Sequence, residues 1–299
     1  MPAPEPEPVS LPSSVQIGPG SGGLTVARVR GCAGSADVYL HGAHVAAWAP
    51  ADRAPVLWMS AASRFVSGEP LRGGVPICFP WFGAHASDPA APAHGFARRV
   101  DWDLAEAHET GDDVVLTLRL ADTGATRSSA WPHRFEARYT VTVGRRLTLS
   151  LQVTNLDPGA VVFEEAFHTY LRVADIHDTE VTGLQGAGFL DRLAGPAPLP
   201  GETGPVRFGA ETDRIYLGTG ATATVVDGAA HRSVAIAKDG SSSTVVWNPW
   251  IAKSASMADF GDTEWTGMLC VETCNIRDDA VRLEPGQSHT MSAVLRTTD

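Results

Sequence analysis

No stretch of this 299-residue sequence stays apolar over the length a bilayer requires, and no charged-then-apolar signal opens it. The sequence therefore predicts no membrane association. Cysteine is scarce: Cys32, Cys78, Cys270 and Cys274 are all there is, each inside an apolar run. A reduced, cytoplasmic protein is the simplest reading of that usage. Cys270 and Cys274 lack the second cysteine pair or close histidine pair that completes a zinc ligand set, so no metal is expected. Positive charge is also short. Lys and Arg number 23 against 34 Asp and Glu, a formal net charge of -11, which repels nucleic acid and acidic membrane surfaces. An anionic ligand would have to be held by a few locally placed basic side chains. Absent as well are a Gly-rich phosphate loop followed by Lys-Ser or Lys-Thr, a G-x-S-x-G elbow and a dinucleotide fingerprint. Nucleotide-driven and serine-nucleophile chemistry lose support accordingly.

What is present is the material of an ordinary core, 43% hydrophobic and 19% charged residues. The opening M-P-A-P-E-P-E-P-V-S-L-P has almost nothing to bury, so residues 1–15 read as a disordered, Pro-rich tail before a domain over 16–299. Period-two alternation with β-branched content marks strands at Asp113–Leu120, Arg138–Val143, Leu147–Val153 and Ala221–Val226. Turn signals such as Leu156-Asp157-Pro158-Gly159 and Glu284-Pro285-Gly286 recur between strands, and no long stretch carries a 3.6-residue apolar period. Strands without crossover helices predict an all-β, antiparallel sandwich or barrel rather than a doubly wound fold. The Pro/Gly-rich Ala194–Gly204 reads as a surface loop within one domain, since no internal repeat or clear linker divides the chain.

Several constellations could carry chemistry. In Leu71–Gly83, L-R-G-G-V-P-I-C-F-P-W-F-G, glycines, prolines and aromatics leave little room for regular structure, and Arg72 at its head could meet a phosphate bidentately. A second glycine and aromatic site, A-H-G-F-A-R-R at 93–99, carries His94 and Arg98. In F-E-E-A-F-H-T-Y-L-R-V at 163–173, alternation puts Glu164, Ala166, His168 and Tyr170 on one strand face. His168 is there by default a hydrogen-bonded core residue, and catalytic only if a base faces it. Glu272 is the single charge in the apolar run T-G-M-L-C-V-E-T-C-N at 266–275. Such a carboxylate is either one half of a buried ion pair or a group with a raised pKa suited to general-base work. V-V-W-N-P-W-I-A-K-S at 245–254 offers Trp247 to stack on a sugar face and Lys253 as an anion contact; T-D-R-I-Y at 212–216 holds Asp213.

Taken together and in this order, R-G-G-V-P-I-C-F-P-W-F-G, H-G-F-A-R, F-H-T-Y, T-D-R-I-Y, W-N-P-W and C-V-E-T-C-N closely resemble the glucose-6-phosphate 1-epimerase (D-hexose-6-phosphate mutarotase) family of the aldose 1-epimerase-like superfamily, over roughly Gly23 to Arg296. The resemblance implies a galactose-mutarotase-like antiparallel β-supersandwich in one domain. It implies a cofactor-free isomerase that exchanges the α and β anomers of an aldohexose 6-phosphate, a small sugar phosphate; separately, a monomer is expected. It also implies that His168 and Glu272 are the catalytic pair, that Arg72 and Arg98 bind phosphate, that His94 contacts the sugar, and that Asp213 holds ring hydroxyls. Glu272 is then expected as base and His168 as a cationic acid, its charge sustained by carboxylates such as Glu164. One departure is Ala93, where relatives often carry Gln, which puts the preferred sugar in doubt. The competing readings are a non-catalytic carbohydrate-binding module and an aldose 1-epimerase of unphosphorylated hexoses; a glycosidase would want two carboxylates rather than His and Glu.

Overall fold

The computed structural model describes residues 9–298. Residues 1–8 of the expected tail lie outside them. Val9 is half-buried against the core and Val15 opens the first strand.

Alternation produces the strands that the sequence predicted, three of them a little longer and the fourth, expected at Ala221–Val226, running Ala223–Asp227. Asp113–Leu120 belongs to strand Asp113–Ala121, Arg138–Val143 to Phe135–Val143, and Leu147–Val153 to Arg146–Asn155. In the last two, paired from Phe135↔Asn155 to Val143↔Leu147, Phe135, Ala137, Tyr139, Val141, Val143, Leu147, Leu149, Leu151 and Val153 all point inward and are fully buried. Burying each large one contributes about 1.5–3 kcal/mol before the entropy of ordering is counted. That inward row is what fixes the register, because a one-residue slip would turn all of it to solvent.

Among the described residues the named strands pair antiparallel throughout. Val15–Pro19, Thr25–Arg30, Gly34–Tyr39 and His44–Pro50 form a four-stranded sheet in chain order. A nine-stranded sheet runs from Val206–Arg207 through Ser288–Thr298 and Arg146–Asn155 to Asp103–Thr110. An eight-stranded sheet has the order Pro198–Leu199, Phe189–Asp191, Thr212–Tyr216, Ser243–Asn248, Met268–Asn275, Glu165–Phe167, Ile77–Cys78, with Tyr170–Arg172 also paired to Met268–Asn275. Its inner face meets the nine-stranded sheet through contacts such as Phe167 on Tyr139, with ring centroids 5.6 Å apart. Met268–Asn275 is buried at every position, so both faces of this strand are covered, and its sequence is accordingly a nearly unbroken apolar run.

The structure departs locally from the sequence reading at two places near the eight-stranded sheet. The segment 163–173 is three short strands, Val161–Phe163, Glu165–Phe167 and Tyr170–Arg172, rather than one. The one α-helix among the described residues, Trp250–Ser256, begins at the second tryptophan of W-N-P-W and is too short to show a period in sequence.

Leu71–Gly83 is irregular as expected, contributing only the strand Ile77–Cys78, and it contains a cis Phe79–Pro80 peptide. It is locked to the H-G-F-A-R loop by the Phe79 carbonyl, which accepts from Phe96 N–H at 3.0 Å and Ala97 N–H at 3.2 Å. Gly95 has φ +74, and a Cβ there would lie 2.0 Å from that same carbonyl oxygen. Gly95→Ala is therefore expected to destabilise the fold by at least about 1–3 kcal/mol from strain alone; a denaturant midpoint equal to wild type would contradict this.

Candidate active site

The pairing registers bring the scattered motifs onto one sheet face. Phe167↔Thr273 and Tyr170↔Cys270 share one register, which sets His168 directly across from Glu272. Glu272 in turn pairs with Val245, Cys270 with Trp247, and Trp247 with Asp213. Residues opposite one another, or two apart along a strand, project to the same side. His168, Tyr170, Glu272, Cys270, Trp247 and Asp213 therefore form a lattice of side chains on the outer face.

Over this lattice lies a cleft of ≈ 210 Å³, lined by Arg72, Phe82, His94, His168, Arg192, Asp213, Trp247, Lys253 and Glu272 among others. Its base is the pair His168 Nε2 and Glu272 Oε1, 3.4 Å apart, with both side chains almost wholly buried. His168 is fixed from several sides. Its backbone N–H donates to Pro76 O at 3.0 Å, and its ring stacks on Tyr170 at 4.8 Å and 10°. Trp247 meets it edge-on at 6.0 Å and His94 at 5.6 Å. His94 is oriented by the Gly83 N–H, which donates to its Nδ1 at 3.3 Å.

Burial pushes the Glu272 carboxyl well above the ordinary carboxylate range, and the neighbouring Asp213 pushes it further. Burial holds His168 well below the ordinary imidazole value, reinforced by Arg98 and Arg72. His94 is lowered in the same way, by burial first and Arg98 second. The raised glutamate agrees with the sequence reading; a cationic His168 does not. The Glu164 carboxylate is not turned to His168 but ties two loops together, accepting from Phe82 N–H at 2.8 Å and Arg277 N–H at 2.7 Å.

His168 Nδ1, Glu272 Oε2 and Asp213 Oδ1 are buried and have no hydrogen-bond partner within the protein. Buried polar atoms are seldom left so, and three of them converging beside an indole face suit a ligand rich in hydroxyls.

The basic side chains divide differently from the sequence expectation. Arg72 reaches the cleft, held bidentately by Asp259 through Nε and Nη2 at 3.2 Å each, while its Nη1 donates to the Tyr170 hydroxyl at 3.0 Å. Arg98 is not among the lining residues: its guanidinium folds back to donate to Ala93 O at 2.9 Å, behind His94 and Cys78. Convergence of Arg72 and Arg98 on one anion is thus not the arrangement found. The cleft's further cations are Lys253, exposed on the short helix, and Arg192. The sequence reading missed Arg192. It follows strand Phe189–Asp191, where its N–H donates to Asp213 O at 2.9 Å and its side chain pairs with the Asp213 carboxylate at 3.2 Å. No local motif marks it; only the sheet order sets it beside Asp213.

The cysteines are free thiols, and among the described residues no group of three or more His, Cys, Asp and Glu side chains is arranged to hold a metal ion.

A sheet face carrying an apposed histidine and glutamate beneath a polar cleft is equipped for acid–base chemistry on a hydroxyl-rich ligand, and the aldose 1-epimerase family model matches residues 27–296. The chain belongs to that family. Among its relatives, a protein of Escherichia coli (strain K12) named "Putative glucose-6-phosphate 1-epimerase" is 37% identical over 234 residues, covering 78% of this chain and 77% of its own length. A protein of Cenchrus ciliaris with the same name is 31% identical over 300 residues, covering 96% and 86%. The crystal structure titled a "putative mutarotase" from Salmonella typhimurium matches with a TM-score of 0.90 at 31% identity, over 98% of this chain and 97% of that one. A galactose mutarotase-like protein from Clostridium acetobutylicum, 12% identical with a TM-score of 0.70, shares the fold alone. The fold is thus the antiparallel, galactose-mutarotase-like β-supersandwich that the sequence motifs implied.

Proposed function

We propose that the protein interconverts the α and β anomers of an aldohexose 6-phosphate, glucose 6-phosphate first among them. The observation that carries this is the apposition of His168 and Glu272 at the base of a cleft that also holds Arg72, Arg192 and Lys253. The relatives' names point to the same substrate. Anomer exchange needs only a base at the C1 hydroxyl and an acid at the ring oxygen, and these two groups supply them without a cofactor. Glu272 as carboxylate takes the hydroxyl proton, the C1–O5 bond opens as the carbonyl forms, and His168 protonates O5. After rotation about C1–C2 the same transfers run backwards onto the other carbonyl face.

In this reading Asp213, fixed by Arg192, and His94 hold ring hydroxyls, and Trp247 lies against the C–H face. Arg72, Arg192 and Lys253 read the phosphate. Arg98 acts from behind the cleft, by charge. The protein works as a monomer in the cytoplasm, on a small sugar phosphate; among the described residues no helix is long and apolar enough to cross a membrane.

Exchange NMR on glucose 6-phosphate at equilibrium tests the reading directly: line exchange between anomers should accelerate with protein concentration, and no acceleration would refute it. Arg72→Ala separates phosphate from sugar recognition. Losing a charge-assisted contact to phosphate should raise KM for the 6-phosphate by about 30-fold or more, with little effect on any exchange of unphosphorylated glucose. Equal effects on both sugars would make Arg72 structural and favour an aldose 1-epimerase of free hexoses.

A further inference from the structure

Ring opening by this pair requires a carboxylate and an imidazolium at once. In the protein alone the environment works against this, raising the Glu272 carboxyl and lowering the His168 imidazole. Burial is the first cause at both groups, and at His168 the company it keeps adds to it. Arg98 stands behind it, and Arg72, Arg192 and Lys253 stand in the cleft. Asp259 and Asp213 are present but bound to Arg72 and Arg192 respectively, while Arg98 Nε is buried with no hydrogen-bond partner. The other titratable groups facing the ring are Glu272 at 3.4 Å, Tyr170 stacked at 4.8 Å, and His94 at 5.6 Å between centroids. Burial keeps the Tyr170 hydroxyl protonated and His94 neutral, so neither offsets the guanidinium groups.

A phosphate dianion in the cleft would change this balance, and the geometry gives it a short route. Arg72 Nη1 touches the Tyr170 hydroxyl at 3.0 Å, and the Tyr170 ring lies parallel to the His168 ring within 10°. Three of the five Arg72 N–H groups are used by Asp259 and Tyr170, and an anion taken by the remaining one on each Nη is one side chain away from the acid.

We propose that the substrate's phosphate activates the chemistry as well as anchoring the sugar: seated against Arg72, it supplies the counter-charge that lets His168 carry its proton, with Tyr170 as the positioning residue between them. The inference rests on the hexose 6-phosphate reading. Proton balance is kept within the complex, because the proton gained by Glu272 from O1 and the one given by His168 to O5 are exchanged back on ring closure. Binding energy at a remote group is thereby converted into rate at the reacting carbon.

The test cuts the substrate in two. Glucose 6-phosphate without C6 and its phosphate is D-xylose, and phosphite dianion stands for the missing piece. Protein-catalysed anomer exchange of D-xylose, corrected for the phosphite-catalysed rate without protein, should rise saturably by at least about tenfold, the effect of moving one proton equilibrium by about a pH unit. The limb of the pH profile that reports loss of the His168 proton should move to higher pH when phosphite is bound. Stimulation should vanish in Arg72→Ala and weaken in Tyr170→Phe, which keeps the stacked ring but removes the hydroxyl. No stimulation by phosphite, with glucose 6-phosphate turned over normally, overturns the inference and leaves the function standing. Failure to turn over glucose 6-phosphate itself removes both. Undiminished stimulation in Tyr170→Phe removes Tyr170 from the route.

Discussion

Glu272→Gln is expected to lower kcat for glucose 6-phosphate by about 10²–10⁴-fold, the usual contribution of one positioned acid–base group, while making the folded protein more resistant to heat in alkaline solution. Both effects have one origin. Glu272 is buried in the middle of a strand covered on both faces, so its charged form is disfavoured in the folded state. The sign is set by linkage. A carboxyl whose folded value lies above its unfolded value contributes stability that is present below the unfolded value and is lost as pH rises through the folded one. Glutamine keeps the shape and never ionises. The two proteins should therefore melt at similar temperatures near pH 5, and the variant should melt higher by pH 8.5. Calorimetry at the two pH values checks this; a variant less stable than wild type at both would mean that Glu272 is a structural ion-pair partner. Near-normal anomer exchange would end the catalytic assignment outright.

His168→Ala is expected to lower kcat by a similar factor of about 10²–10⁴, with a smaller change in KM, and to alter the form of the pH dependence. Catalysis by the pair needs Glu272 without its proton and His168 with one, so the wild-type profile should be bell-shaped, with two apparent values that belong to the pair. Without the imidazole the alkaline limb has no source. The residual rate should then rise with pH as Glu272 ionises, over a range displaced upward by its burial. The fold should survive, because the ring's Nδ1 has no hydrogen bond within the protein to lose and the backbone N–H of residue 168 keeps its bond to Pro76 O. A residual profile that remains bell-shaped would assign the acid to another group, the candidates being Tyr170 at 4.8 Å and His94 at 5.6 Å from the His168 ring.

The architecture was legible in the sequence wherever a strand has one wet face, because there the period of two is written in polarity: Phe135–Val143 and Arg146–Asn155 are the clear cases. The alternation argument also put His168 and Tyr170 on one face correctly, even though the segment is broken at His168 and Thr169, because the break keeps the register. What it misjudged was Glu164. Backbone outside the ladder turned that carboxylate toward Phe82 and Arg277 instead of toward His168. The cations of the cleft were less legible than the apposition of His168 and Glu272. Arg98 stands in a conspicuous glycine and aromatic motif yet points away from the cleft, whereas Arg192 stands in an undistinguished stretch yet enters it. Motifs record local backbone demands, but which guanidinium meets a ligand is decided by strands far apart in sequence.

The lattice on the outer face of the eight-stranded sheet also bears on how this site could change over evolutionary time. Spacing between its members is set by backbone hydrogen bonding, about 4.8 Å between neighbouring strands, and not by the side chains themselves. Replacing one member leaves the others where they were. Glu272 lies on a central strand and His168 in the break beside it, while Arg72, Arg192 and Lys253 enter from connecting segments and the short helix at the margins. Substrate preference can therefore drift by remodelling the margins without disturbing the pair, and a family built this way should diversify its sugars far more readily than its reaction.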